Sequence, residues 1–281
     1  MSRPRVIARI EIKGPNVIKG IAFEGLRIIG DPVDLCIKYA ESGADELLLL
    51  DTVASLYGRN NLLEVVSKVA AQIGIPLTVG GGISGLATAR EALESGADKV
   101  CLNTAAVKNP DLITILANEF GSQCVVVAVD YKQWPDSRFL GATSGVTVSG
   151  RRVLDNNPTA EMIENFQVYS EHGRQQTGLD AATWAEDAAR LGAGEILVTS
   201  IDHDGRMRGF HTPLSKYLTN KLTIPVILCG GASNIIDLSA VFEEHLADAV
   251  ALASSLHYER INWNDINTLS IPSKNRIEYK K

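Results

Sequence analysis

Little in this chain is aromatic, basic or paired through sulfur, and each shortage removes a class of protein. Phe, Trp and Tyr make up 6% of its 281 residues, and cysteine occurs 4 times, at 36, 101, 124 and 229, in no C-x-x-C pair. Such spacing offers neither a zinc site nor a redox motif, so the thiols read as small buried fillers. The 5 histidines, at 172, 203, 211, 245 and 257, show no ligand spacing, so neither metal nor cofactor is expected. His203 and His257 alone fall near the loops singled out below, where an ordinary polar role accounts for them. A formal charge of −6 excludes a chain built to coat nucleic acid, and an anionic substrate must therefore be held by local devices. No run of 18 or more apolar residues and no charged-then-apolar leader is found, so the expectation is a cytoplasmic protein without membrane contact.

What is present is a long alternation. Short apolar, β-rich runs recur at Val6–Ile12, Leu47–Asp51, Leu77–Val79, Val100–Leu102, Val125–Asp130, Ile196–Ile201, Val226–Leu228 and Ala249–Leu252. Between them, helical apolar spacing marks Asp31–Ser42, Leu62–Ile73, Gly85–Ser95, Pro110–Phe120, Asp180–Leu191, Thr212–Lys221 and Ile235–Glu244. Strand-helix alternation means parallel βα units, and strands without apolar/polar alternation are covered on both faces.

The two halves repeat one another. Gly43–Asp51 echoes Gly192–Asp202, Ile75–Gly82 echoes Ile224–Gly231, and Ala97–Thr104 echoes Ala247–Ser254, in the same order. Two copies of a four-unit half-barrel close into one α/β domain over 1–281, a (β/α)8 TIM barrel, whereas an open sheet gives no reason for the repeat. One stretch, from Trp134 to about Gln167, breaks the pattern with Gly, Ser, Asn, Asp and Pro. It follows the fifth barrel strand, so this extended loop stands at the catalytic face and is able to cover it.

Both glycine clusters, Gly80–Gly82 and Gly230–Gly231, end a strand and precede a helix, where backbone N–H groups are able to approach an anion. In each half the next strand ends with a small hydroxyl partner, Asn103–Thr104 or Ala253–Ser254, and Asp204–Gly205 adds a further turn. A tight βα turn alone would also use glycine, but two clusters at equivalent places favour two phosphate cradles and hence a bisphosphate substrate. Its middle would lie over the barrel axis, between the ends of strands one and five. Those ends carry Glu11 and Asp130, two carboxylates suited to general acid-base work. An acidic residue at a strand end also serves to cap a loop; the symmetry of the two favours catalysis. At the opposite mouth, Arg5, Glu46, Lys99 and Glu195 start strands one, two, four and six with alternating sign, which reads as a ring of salt bridges closing the barrel bottom.

The run Val79–Ile83, then Gly96–Val100 with Asn103–Val107, Phe120–Gln123, and Gly192–Leu197 with Thr199–Gly205, resembles the cyclase subunit of imidazole glycerol phosphate synthase from histidine biosynthesis. The likeness covers the chain apart from the Trp134–Gln167 insertion and the C-terminal tail. It implies an enzyme that takes ammonia from a separate glutaminase subunit. That ammonia is added to a ribulosyl-formimino aminoimidazole carboxamide bisphosphate, yielding imidazole glycerol phosphate and aminoimidazole carboxamide ribotide. It implies catalytic acids at Glu11 and Asp130, and phosphate contacts at Gly82, Asn103 and Thr104 and at Asp204, Gly205, Gly231, Ala253 and Ser254. It also implies an ammonia gate at Arg5, Glu46, Lys99 and Glu195, and a substrate-closing Lys19 in a mobile loop. The gate turns the bland ring into an inlet for a docked glutaminase.

Two departures stand out. The family carries aspartate at position 11 in a Cys-Leu-Asp-Val-Lys context, and this chain reads Arg9-Ile10-Glu11-Ile12-Lys13. Glutamate reaches one methylene further, and Arg9 places a cation where the family has a thiol, which depresses the pKa of Glu11 and weakens it as an acid. Such changes resemble paralogues that conduct ammonia for sugar amidation in surface-polysaccharide biosynthesis. A related isomerase barrel binds a similar bisphosphate but needs no gate, so the four charged residues count against it.

Overall fold

The computed structural model describes residues 5–53, 61–133 and 166–269, and 134–165 of the extended loop lie outside them. Eight parallel strands form the barrel: β1 (Arg5–Lys13), β4 (Glu46–Asp51), β5 (Leu77–Gly80), β6 (Lys99–Leu102), β7 (Val125–Gln133), β10 (Glu195–Ser200), β11 (Val226–Cys229) and β12 (Ala249–Leu252). They neighbour one another in that order, and the pairing of β12 with β1 closes the cylinder. All eight expected strands and the seven expected helices are found, with boundaries moved by up to three residues.

Closure divides the apolar residues into two populations. Val6, Ala8, Ile10 and Ile12 of β1 face the helices, in one core with Cys36, Tyr39 and Leu238. The other parity points inward, where Ile7, Leu48, Val126, Leu197, Ile227 and Ala249 fill the barrel itself. Along β1 the inward series is Arg5, Ile7, Arg9, Glu11, and along β7 it is Val126, Ala128, Asp130. A strand alternates its side chains, so charge at the bottom, an apolar plug and polar groups at the top follow from the order of residues.

Two antiparallel hairpins depart from the expected plan. After β1 the chain forms β2 (Asn16–Ile21) and β3 (Glu24–Gly30), and after β7 it forms β8 (Phe166–Ser170) and β9 (Gln175–Asp180). Phe166 and Gln167, expected as the end of the extended loop, thus belong to a strand. Each hairpin ends in an aspartate that caps the next helix. Asp31 accepts from Val33 N at 2.8 Å before the helix Pro32–Ser42, and Asp180 accepts from Thr183 N at 2.8 Å before the helix Ala181–Arg190. Strands one and five of the barrel are therefore followed by the same unit, which extends the duplication to segments whose sequences show no obvious repeat.

Candidate active site

At the barrel bottom the four charged residues make a closed circuit. Arg5 donates to Glu46 at 2.5 Å and to Glu195 at 2.7 Å, and Lys99 donates to the same two carboxylates at 3.0 and 3.2 Å. Thr78 adds a hydroxyl to Glu46 at 2.6 Å. Burial on its own would raise the pKa of Glu46; Arg5, Lys99 and Thr78 reverse that and hold it below the ordinary carboxylate range. The circuit seals the bottom by charge alternation, and the apolar plug lies directly above it.

At the top, Glu11 and Asp130 stand on β1 and β7, four positions apart in a ring of eight strands and hence diametrically opposed. They differ in surroundings. Glu11 is buried, accepting from Arg9 at 2.6 Å through one oxygen and from Lys19 at 2.6 Å through the other. Burial pushes its pKa up, but the adjoining Arg9 and Lys19 cations outweigh that and hold it well below the usual range. Asp130 accepts from Asn103 Nδ2 at 2.8 Å. Burial raises its pKa to about 6, against the opposing pull of Arg9 and of the Thr199 hydroxyl.

Lys19 was expected in a mobile loop. Instead it lies in β2, 2% exposed, with its ammonium 2.6 Å from Glu11 and 2.6 Å from Asp204. The hairpin carries it inward, because the Gly20 carbonyl packs so closely on Gly205 that a Cβ there would sit 2.2 Å from the oxygen. Ala22 N also donates to the Asp204 carbonyl at 2.9 Å. The hairpin tip places Phe23 against His172 of the β8–β9 turn, ring centroids 4.4 Å apart, and both rings cover the barrel mouth. Burial lowers the pKa of His172 to about 4, leaving it neutral near pH 7.

The two anion corners are related by the duplication down to the backbone. Gly81 and Gly82 have φ of +91° and +75°, and Gly230 and Gly231 have +92° and +107°. Such angles favour glycine, and space demands it as well: a Cβ on Gly81 would lie 2.1 Å from the Asp51 carbonyl oxygen and one on Gly231 2.1 Å from that of Gly209. Asn103 (φ −132°, ψ −85°) and Ala253 (φ −125°, ψ −84°) turn the chain identically ahead of Thr104 and Ser254. In the second corner a pocket is bounded by Asp204, Gly205, Gly230, Gly231, Ala253 and Ser254. The buried Ser254 hydroxyl has no hydrogen-bond partner among the described residues, so it is available to a ligand. In the first corner Thr104 Oγ1 accepts from Glu171 N at 3.0 Å, and Asn103 ties the corner to Asp130. The structure thus places Lys19 between Glu11 and Asp204, Asn103 beside Asp130, and Asp204, Gly205, Gly231, Ala253 and Ser254 around one pocket.

The family model described as histidine biosynthesis protein matches residues 5–262. This chain belongs to that family. It is 46% identical over 235 residues to imidazole glycerol phosphate synthase subunit HisF of Legionella pneumophila, covering 84% of this chain and 98% of the relative. It is 42% identical over 275 residues to the HisF subunit of Nitrosopumilus maritimus, covering 96% of both. The HisF subunit of Prochlorococcus marinus strain MIT 9215 is 40% identical over 270 residues.

The effect of Arg9 on Glu11 was expected, but its reach across the barrel and the parts of Phe23 and His172 were not. Arg9 donates to Thr199 Oγ1 at 3.4 Å and to Cys229 Sγ at 3.0 Å, so its guanidinium crosses the barrel interior from β1 to β10 and β11. Inward parity on β1, shared with Arg5 and Glu11, is the signal that finds it. Cys229 therefore contacts a cation instead of being an inert filler. Phe23 and His172 carry no sequence signal, because their place depends on two hairpins meeting.

Proposed function

We propose that this chain is an ammonia-dependent cyclase-type lyase. It converts a ribulosyl-formimino aminoimidazole carboxamide bisphosphate to imidazole glycerol phosphate and aminoimidazole carboxamide ribotide. The observation that carries this reading is the paired site: two backbone-equivalent glycine corners on either side of an axis where Asp130 and Glu11 meet. N–H groups at Gly82 and the Thr104 turn would hold one phosphate, and those at Gly205, Gly231 and Ser254 the other. The middle of the substrate then lies between the acids. A carboxyl with a pKa of about 6 is matched to giving and taking protons near neutrality, which assigns that work to Asp130.

Ammonia enters from below in this reading, through the ring of Arg5, Glu46, Lys99 and Glu195, from a glutaminase subunit docked as a heterodimer partner on the bottom face. The place of the ring at the bottom mouth supports this, and its two cations, Lys99 and Arg5, are part-exposed and held only by side-chain contacts to Glu46 and Glu195. Turnover of the bisphosphate with an ammonium salt, followed by appearance of imidazole glycerol phosphate, tests the reading; no product from folded protein overturns it.

One observation favours a second reading. Both oxygens of Glu11 are occupied by cations, as suits an ammonia-conducting paralogue serving sugar amidation in which no bisphosphate reacts. Complementation of a histidine-requiring strain lacking its cyclase subunit separates the two: growth without histidine supports the cyclase, and failure of a well-expressed chain supports the conduit.

A further inference from the structure

The two acids occupy opposed places in a duplicated barrel, yet their surroundings are opposite in kind. Both carboxylate oxygens of Glu11 are taken, one by Arg9 and one by Lys19, each at 2.6 Å. Neither cation is free to leave. Arg9 is 2% exposed, held by Thr199 at 3.4 Å and Cys229 at 3.0 Å, and its guanidinium lies 5.6 Å from the centroid of the Phe23 ring. Phe23 is itself clamped on His172. Lys19 is pinned from its far side by Asp204 at 2.6 Å. On Asp130, by contrast, neutral donors make the direct contacts seen among the described residues: Asn103 Nδ2 at 2.8 Å and the Thr199 hydroxyl.

We propose that Arg9 is a positioning residue which, with Lys19, keeps Glu11 a permanent carboxylate, so that Asp130 alone exchanges a proton with the substrate while Glu11 and Asp204 anchor Lys19 in the site. This deepens the cyclase reading and rests on it for turnover, though not for the state of the carboxyls. A carboxylate that is to accept a proton in the reaction must release a partner first. Glu11 would have to release a buried guanidinium, which then loses its carboxylate partner, or a buried ammonium, which is then left with Asp204 alone, and either outcome is unfavourable. Asp130 need only reorganise an amide and a hydroxyl. Thr199 lies between the two groups, close to Asp130 and bonded to Arg9, so the guanidinium also sets the orientation of a donor to the working acid.

The charges around the two groups differ: those facing Glu11 act together, and those facing Asp130 oppose one another. Facing Glu11 are Arg9 on its own strand, Lys19 on β2, with Asp204 behind it, His172 from the β8–β9 turn and His257 beyond β12. Burial leaves both histidines neutral near pH 7, so the two cations dominate. Facing Asp130 are Arg9, which lowers its pKa, and Glu11, which raises it. Asp130 stays poised at about 6 while Glu11 lies far below, the separation that assigns one group to proton transfer.

The test uses the whole chain and two readouts. Side-chain carboxyl titration by carbon-13 NMR needs no substrate: Asp130 should titrate near pH 6 and Glu11 should remain ionised throughout the range in which the protein is folded. In Arg9→Met both titrations should move upward, by on the order of one to three pH units for loss of an adjacent opposite charge. Arg9→Lys should hold them near the parental positions even if Arg9→Met fails to fold. In turnover, the pH profile should contain one ionisation near 6. Glu11→Gln should keep it, displaced downward, and Asp130→Asn should remove it. The proposal is overturned if Arg9→Met leaves Glu11's titration in place, if Arg9→Lys fails to restore it, or if Glu11→Gln abolishes the ionisation as completely as Asp130→Asn. Should the parental chain turn over no bisphosphate, the cyclase reading fails while the NMR titration still decides the role of Arg9.

Discussion

Replacing Lys19 by methionine keeps most of the apolar stem of the side chain and removes its charge, which makes it a sharp probe of the closed barrel mouth. The ammonium is 2.6 Å from Glu11 and 2.6 Å from Asp204, and the three residues are 2%, 3% and 2% exposed. At an effective dielectric of about 20, a unit pair at that distance is worth about 6 kcal/mol gross, from which several kcal/mol for desolvating the ammonium must be subtracted. Glu11 retains Arg9, so the uncompensated loss falls chiefly on Asp204, and removing one member of such a group costs about 3–5 kcal/mol net. Urea unfolding followed by the fluorescence of Trp184 and Trp263 measures it at pH 7.5 and at pH 5. The Lys19 pKa is raised on folding, so its contribution is complete below the unfolded value and constant across this window. Lys19 itself therefore contributes no pH dependence between the two values. A loss below about 1 kcal/mol, the range of exposed pairs, would refute the buried triad and the closed hairpin with it.

Other consequences reach the rest of the molecule. Gly231→Ala puts a Cβ 2.1 Å from the Gly209 carbonyl oxygen and should weaken binding of the bisphosphate at least tenfold in calorimetry, while the same ligand truncated at that phosphate should lose little. Asp130→Asn should cut ammonia-dependent kcat about 10²- to 10⁴-fold with KM nearly unchanged, the size of effect expected for a general acid-base group; equal activity would remove Asp130 from the mechanism. The Glu46 carboxyl is held below its ordinary value in the folded chain, so its contribution is present above the unfolded pKa of about 4.3 and lost as pH falls through the folded value. Glu46→Gln should accordingly be less stable than the parent at pH 7 and show a shallower decline in stability between pH 5 and 3.

How much of this was legible in the sequence follows from which interactions are local. Strands β4, β10, β5, β11, β6 and β12 announce themselves through the repeated blocks, and the same blocks carry both glycine corners, because a barrel built by duplication reuses one turn chemistry. The charged ring was legible because Arg5, Glu46, Lys99 and Glu195 each open a strand, and register then brings them to one mouth. The hairpins were not legible, since the two-residue turn between β2 and β3 is Ala22-Phe23, both at positive φ where Asn or Gly is the usual signal, and Phe23 is held there by stacking on His172 of the other hairpin. Lys19 reads as a loop residue for that reason. Arg9 was visible as a foreign cation that depresses Glu11, but its span to Thr199 and Cys229 depends on strands some 190 and 220 residues away, which no local pattern encodes.

Calorimetric titration of the chain with the ribulosyl-formimino bisphosphate tests the central claim most directly, because two phosphate corners over a shared pair of acids must take one molecule end to end. The account predicts one ligand per chain, with Ser254→Ala weakening its binding and either single-phosphate half competing at much lower affinity. Two independent molecules per chain, or no binding by the folded protein, would contradict it.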